Sequence, residues 1–215
     1  MSTQATLVDY GLGNMLSVHR MLEHCGAKVN IAALPDDIIS AERLVFPGVG
    51  AFASGMQELA KRGMIGALRE FARGGRPILG ICLGMQLFMS IGEEFGEHVG
   101  INIIPGRVKQ IPSVNNLRNS VKIPHIGWNA IVNEQNKESW DNGILKGIQP
   151  GEFVYFAHSF YVDLRDKQLC IAQCVYENTS IPAVVRLNNI HGCQFHPEKS
   201  GPVGIKIIKN FLTLA

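Results

Sequence analysis

Two short runs of this chain hold residue types that could together carry out acyl transfer. In Arg76–Gln86, Cys82 has Gly80 two positions before it and Gly84 two after. That is the G-x-S-x-G elbow with sulfur in place of oxygen. Pro77–Ile81 is an apolar run of strand length, and Leu83, Leu87 and Ile91 then recur at helical spacing. The pattern predicts a strand turning sharply into a helix, with the thiol on the turn. Helix-terminal N–H groups there would favour a thiolate and could bind an oxyanion formed on attack. A small buried cysteine following a strand is the plainer alternative.

The second run is Gln194-Phe195-His196-Pro197-Glu198-Lys199-Ser200. Of seven histidines, His196 alone has a carboxylate two residues on, and in extended chain such residues face the same side. Glu198 would then fix the tautomer of His196, whose other nitrogen would serve the nucleophile. His19 and His24 fall on a first helix and His98 in a polar loop. His125 and His158 lie in Pro124–Asn129 and Tyr155–Ser159, and His191 precedes Gly192. Pro47-Gly48-Val49-Gly50 follows a strand end, so in a parallel sheet it lies at the same edge as Cys82 and can present an N–H. Thiolate, base and N–H loop describe attack on a carbonyl, a thioester and its hydrolysis. From the residues alone this is a cysteine amidase, thioesterase or peptidase of α/β fold.

The elements that must position these groups alternate in the first half. Strands are expected at Ala5–Val8, Val29–Ala32, Leu44–Phe46 and Pro77–Ile81. Helices are marked by Met15, Val18, Leu22 and Cys25, by Phe52, Met56 and Leu59, and by Met64, Leu68 and Phe71. Asn14 is the expected N-cap of the first. Short apolar strands alternating with amphipathic helices predict a mostly parallel sheet flanked by helices. From Gly106 to Gln194 long helices are missing. Val108–Ile111, Ile126–Val132, Phe153–Phe156, Leu169–Tyr176, Ala183–Leu187 and Ile190–Phe195 read as further strands, partly antiparallel. These should extend the sheet, with a layer folded over one face. Ser113–Ser120 reads as a surface loop, and Gly204–Leu214 as a helix with Ile205, Ile208 and Leu212 inward.

With 215 residues the chain is expected to form one domain, residues 1–215. Apolar residues make up 46% and charged ones 18%, the balance of a soluble protein. A net charge of +2 gives no electrostatic basis for nucleic acid or an anionic membrane as partner. No run has transmembrane length and Met1–Ala5 lacks a leader's layout, so a cytoplasmic protein is expected. Five cysteines without a C-x-x-C pair argue against a disulfide framework. Zinc held by Cys170, Cys174, Cys193 and His196 would need a spacing that fits no structural pattern, so no metal is expected. Neither a P-loop nor a dinucleotide fingerprint is present, and no cofactor is expected.

Taken together, Gly80-Ile81-Cys82-Leu83-Gly84-Met85-Gln86 and Gln194–Glu198 resemble the class I, triad-type glutamine amidotransferases. Within that family the chain is similar to the glutaminase subunits of imidazole glycerol phosphate synthases, which supply ammonia to a step of histidine biosynthesis. Asp9–Asn14, Pro47–Gly50, Pro124–Asn129 and His196–Ser200 carry that likeness and span almost the whole chain. The resemblance implies a flavodoxin-like fold with added antiparallel strands, and glutamine hydrolysed by Cys82, His196 and Glu198. It places Gly48, Val49, Gly50, Leu83, Gln86, Glu94, Ser159 and Phe160 around the substrate. It also implies a (β/α)₈-barrel cyclase partner in a heterodimer, contacted by Asn14, Trp128, Tyr155 and Lys199, with ammonia passing through the barrel.

The sequence departs from the pattern at Phe160, where a tyrosine is expected, at Cys193, where Thr is usual, and in a long Ser113–Ser120. Those departures leave open a paralogue feeding another synthase, such as one amidinating a surface sugar. A non-catalytic binding module is the alternative from a different class, and it would have no need of all three triad residues.

Overall fold

The computed structural model describes residues 3–114, 117, 119–133, 140 and 142–214. Met1 and Ser2, and residues 115, 116 and 118 of the Ser113–Ser120 loop, lie outside the described residues. In chain order the elements are β1 (Gln4–Val8), α1 (Met15–His24), β2 (Lys28–Ala32), α2 (Pro35–Ser40), β3 (Leu44–Gly48), α3 (Phe52–Lys61), α4 (Met64–Arg73), β4 (Ile78–Cys82) and α5 (Leu83–Leu87). The short β5 (Ile91–Gly92) and β6 (His98–Val99) lead to β7 (Gly106–Gln110), β8 (His125–Ala130), β9 (Phe153–His158) and β10 (Phe160–Leu164). The chain ends with β11 (Cys170–Tyr176), β12 (Thr179–Leu187), β13 (Ile190–Cys193) and α6 (Gly201–Leu212).

A seven-stranded sheet in the order β11-β12-β13-β4-β3-β1-β2 forms the centre. β2, β1, β3, β4 and β13 run parallel, while β11 and β12 are antiparallel additions at one edge. Both faces of β3 and β4 are covered, which is why those strands read as apolar runs, whereas the edge strand β2 leaves Lys28, Asn30 and Ile31 exposed. Leu7, Val45, Leu79 and Ile81 share a core with Val18 and Leu22 of α1 and Ile207, Ile208 and Phe211 of α6. Their strand neighbours Val8, Phe46 and Ile78 face the other way, onto Ile38, Phe52, Leu59, Leu68 and Phe71.

The expected parallel core and antiparallel extension are present, but the second half does more than extend one sheet. Strands β10-β7-β5-β6 form a separate four-stranded sheet, and β8 pairs with β9 as a two-stranded ribbon. Helix α2 was not anticipated, although Pro35 at its first turn and Asp37 were legible signals. The Asp37 carboxylate accepts from the backbone N–H groups of Ala33 and Leu34 at 3.1 and 2.9 Å.

Other expectations need correction. Asn14 occupies the N-cap position of α1 but makes no side-chain capping bond. The helix after the elbow ends at Leu87, and Ile91 lies in β5, not on a third turn. The returning segment 101–104 takes up the Leu87 and Phe88 carbonyls through the N–H groups of Ile101, Ile103 and Ile104, which stops the helix there. Leu169 lies in a 3₁₀ turn ahead of β11. In α6, Ile207 and Phe211 are buried with Ile208 and Leu212, whereas Ile205 is only half-buried.

Candidate active site

β4 carries Cys82 to its last position, where the backbone turns into α5 with φ 53° and ψ −112°. A left-handed φ at a non-glycine residue is strained, and it fits the elbow anticipated from the flanking glycines. Those glycines are required by close approach. A Cβ on Gly84 would sit 1.8 Å from the Phe46 carbonyl oxygen, and one on Gly80 2.5 Å from the Phe88 ring. Leu83, Gly84 and Met85 open the helix, so their N–H groups have no partner within it.

Parallel pairing sets the neighbours of the sulfur. Gly48 is in register with Cys82 on one side, which delivers Val49 and Gly50 to its edge. On the other side Cys193 is in register with Ile81, so the chain leaving β13 passes beside Cys82 as Gln194-Phe195-His196. Gln194 is fully buried and its Nε2 lies 3.6 Å from the Cys82 sulfur.

His196 is buried too, shares the lining of one cleft with Cys82, and its Nδ1 lies 2.9 Å from Glu198 Oε1. The sequence expectation of extended chain from 196 to 198 is corrected, since Pro197–Lys199 is a 3₁₀ turn. The turn swings the Glu198 carboxylate back under the ring. Ser200 Oγ then donates to the His196 carbonyl at 2.6 Å and accepts from the Tyr155 N–H at 3.0 Å, fastening the turn to β9. Burial disfavours the imidazolium, but the hydrogen bonds and charges of Cys82 and Glu198 outweigh it and hold the His196 pKa at about 10. The Glu198 side chain is 2% exposed and its Oε2 has no hydrogen-bond partner, so its negative charge is directed to the ring.

His125 and His158 came from the sequence as competing bases, and the structure pairs them with each other. His158 is pushed down to about 3 and His125 to about 4, in both cases chiefly by burial. The remaining histidines stand elsewhere. His19 pairs with Glu23 on α1, His98 lies in β6, and His191 is buried in β13.

An open cleft of about 280 Å³ lies over the sulfur. Seven of the eight residues expected around a substrate, Val49, Gly50, Leu83, Gln86, Glu94, Ser159 and Phe160, line it; Gly48 does not, and is paired with Cys82. Pro124, Ile126, Ala157 and His158 also line it and were not anticipated as walls. Their runs stood out only for their histidines, since the crossing of β8 and β9 over the sheet edge is a long-range placement. Glu94 Oε2 accepts from the Phe52 N–H at 2.7 Å. The Gln86 amide donates to the Phe160 carbonyl at 2.9 Å and to Gln194 Oε1 at 3.0 Å. With its two protons so used, the Gln86 oxygen is left as an acceptor.

Beside the cleft lies a surface where Trp128 is 55% exposed and meets Tyr155 edge to face at 6.1 Å, with Lys199 Nζ 5.6 Å above the Tyr155 ring. Ile126 is exposed on the same strand, two residues from Trp128. Among the described residues no group of three His, Cys, Asp or Glu side chains is placed to hold a metal ion, and no helix is long and apolar enough to cross a membrane.

A doubly covered parallel sheet with a thiol on its elbow and a His–Glu pair beside it has the layout of a cysteine-dependent acyl-transfer enzyme of α/β fold. Residues 6–215 match the model of the class-I glutamine amidotransferases, and the chain belongs to that family of enzymes. It is 46% identical over 212 residues to the imidazole glycerol phosphate synthase subunit HisH 1 of Legionella pneumophila strain Paris, covering 99% of this chain and 100% of that protein. The subunit HisH of Methanosarcina acetivorans is 44% identical over 209 residues, 97% of each chain. Among solved structures, PurLQS from Thermotoga maritima superposes with a TM-score of 0.74 at 20% identity, over 99% of this chain and 98% of that one, a likeness of fold.

Proposed function

We propose that this chain is the glutaminase subunit of an imidazole glycerol phosphate synthase, with Cys82 as nucleophile, His196 as base and acid, and Glu198 as the group that orients His196. The observation that carries the chemistry is that Cys82 and His196 line one cleft, with His196 Nδ1 held 2.9 Å from the Glu198 carboxylate. Likeness to synthase subunits over nearly the full chain supports the pathway. Glutamine enters the cleft with its carboxamide carbon at the sulfur. Attack by the thiolate makes a tetrahedral adduct whose oxyanion is met by the N–H of Leu83 and one from Val49 or Gly50. The His196 imidazolium passes its proton to the departing nitrogen, ammonia leaves, and a thioester remains. Water, deprotonated by His196, then releases glutamate and restores Cys82.

The Gln86 oxygen and the carboxylate of Glu94 are acceptors suited to the ammonium and amide hydrogens of glutamine, and Ser159 and Phe160 supply the facing wall. Ammonia in water is protonated and lost as a nucleophile, so it is handed on within a heterodimer. The partner is a (β/α)₈-barrel cyclase docked on Asn14, Trp128, Tyr155 and Lys199, which makes imidazole glycerol phosphate and AICAR in the cytoplasm. The test is to combine the purified chain with the cyclase of the same organism and measure glutamate release with the cyclase's nucleotide ligand present. Glutamate formation that couples to cyclase product supports the reading. Its absence with a cyclase that runs on ammonium salts overturns it.

A further inference from the structure

The cysteine has a second polar neighbour besides His196, and this neighbour is itself held. Gln194 and His196 lie two residues apart where the chain bends away from the end of β13; Gln194 reaches the Cys82 sulfur, and His196 lines the cleft with it. The His196 N–H is fixed to the Tyr155 carbonyl and the Gln194 N–H to the Ala183 carbonyl, each at 2.9 Å. An amide side chain can face sulfur with either end. Here the Gln194 oxygen accepts from Gln86 at 3.0 Å, which turns its NH₂ group to the Cys82 sulfur at 3.6 Å. Gln86 could in turn flip, but its second proton is taken by the Phe160 carbonyl at 2.9 Å. That carbonyl is also met by His158 Nδ1 at 2.9 Å, and His158 Nε2 by His125 Nδ1 at 3.1 Å. A flipped Gln86 would set its oxygen against two other oxygens. The donor end of Gln194 is thereby assigned by a relay that starts outside the sulfur's own neighbours.

We propose that Gln194 is the hydrogen-bond donor that holds the Cys82 sulfur in its anionic form, and that Gln86 is the positioning residue that keeps this donor turned inward. The inference rests on Cys82 being the nucleophile. A buried amide that donates to an anion favours the charged form, whereas the same amide presenting its oxygen would repel it. Leucine at 194 would fill the volume and give nothing. Glutamate there would put an acceptor, and a charge of the same sign, against the sulfur.

The test reads the sulfur directly. In the complex with the cyclase, iodoacetamide alkylation of Cys82 is followed by mass spectrometry across pH, and the midpoint of the rate profile is compared among variants. Gln194→Leu should raise the midpoint by about one pH unit, the scale of a hydrogen bond to a charged group. Gln194→Glu should raise it further, and Gln86→Leu should raise it less, because Gln194 remains but is free to turn. A role in packing alone would leave the midpoint where it is. An unchanged midpoint in folded Gln194→Leu overturns the donor role. If that variant does not fold, an unchanged midpoint in Gln86→Leu overturns the proposal. A complex that releases no glutamate but shows these shifts would refute the proposed function and leave this inference standing.

Discussion

The Nδ1 of His125 stands 3.1 Å from the Nε2 of His158, and His158 Nδ1 donates to the Phe160 carbonyl. The pair is therefore neutral, with tautomers set by a backbone oxygen, and its protons already have acceptors. Stacking of His125 on Tyr176 at 3.9 Å and on Phe156 at 4.7 Å fixes the ring further. His158 forms part of the cleft wall and His125 backs it, so in the proposed mechanism proton transfer falls to His196.

His196→Ala should accordingly lower glutamine-dependent turnover by about 10²–10⁴-fold, the range of a lost general base and acid. His125→Gln should cost far less. Glu198→Gln should fall between them, since the amide keeps the shape but loses the charge that favours the imidazolium. Glutamate release and ammonium-driven cyclase turnover, measured side by side, check this. Ammonium-driven turnover should be retained in all three, and a greater loss in His125→Gln than in His196→Ala would refute the assignment.

Cys82→Ser should abolish glutamate release while leaving the fold intact. A glutamine analogue with an electrophile at the carboxamide position should add to Cys82 alone, because Cys174 and Cys193 are held as thiols by burial and Cys25 is raised likewise. Peptide mapping after inactivation reads it directly. Labelling of Cys25 with activity retained is the contrary result.

Control by the partner is expected at Pro47–Gly50. Val49 is flanked by Gly48 and Gly50, the latter at φ 102°, so rotation of that peptide costs little. If docking turns the Val49 or Gly50 N–H into place, the chain alone should be about 10²–10³-fold slower than the complex with nucleotide ligand, the effect of one oxyanion donor. Rates of glutamine hydrolysis for the chain, the complex and the liganded complex decide it. Three equal rates would remove the switch.

Acid should destabilise the fold through its buried neutral histidines. Burial pushes His191 down to about 4, aided by the charge of Arg186. The unfolded chain takes up its proton near pH 6.5 and the folded one only near 4, so stability is lost as pH falls through that window. One such group contributes a slope of about 1.4 kcal/mol per pH unit. Denaturant unfolding of His191→Gln at pH 7 and pH 5 should show a smaller loss than the parent. Equal losses would mean that His191 is already protonated in the fold.

Several things were legible in the sequence because they are local. The elbow needs only a strand, a cysteine and two small residues, and Gly80, Gly84 and the apolar run 77–81 state all of it. The parallel core follows from strands apolar on both faces. His196 and Glu198 stood out because they are two residues apart. What the sequence could not hold is which distant groups meet. The short α5 is ended by hydrogen bonds from residues about fifteen positions away, so helical spacing at Ile91 misled. Pro124 and His158 become walls of the cleft only because β8 and β9 pair and lie over the edge where Cys82 emerges. Gln194 is an unremarkable residue in a motif until parallel pairing sets it beside the sulfur and Gln86 turns its amide. Side-chain chemistry and spacing determined the catalytic type. Register between strands more than a hundred residues apart decided the site, because hydrogen bonds act over about 3 Å and the chain brings their partners together only by folding.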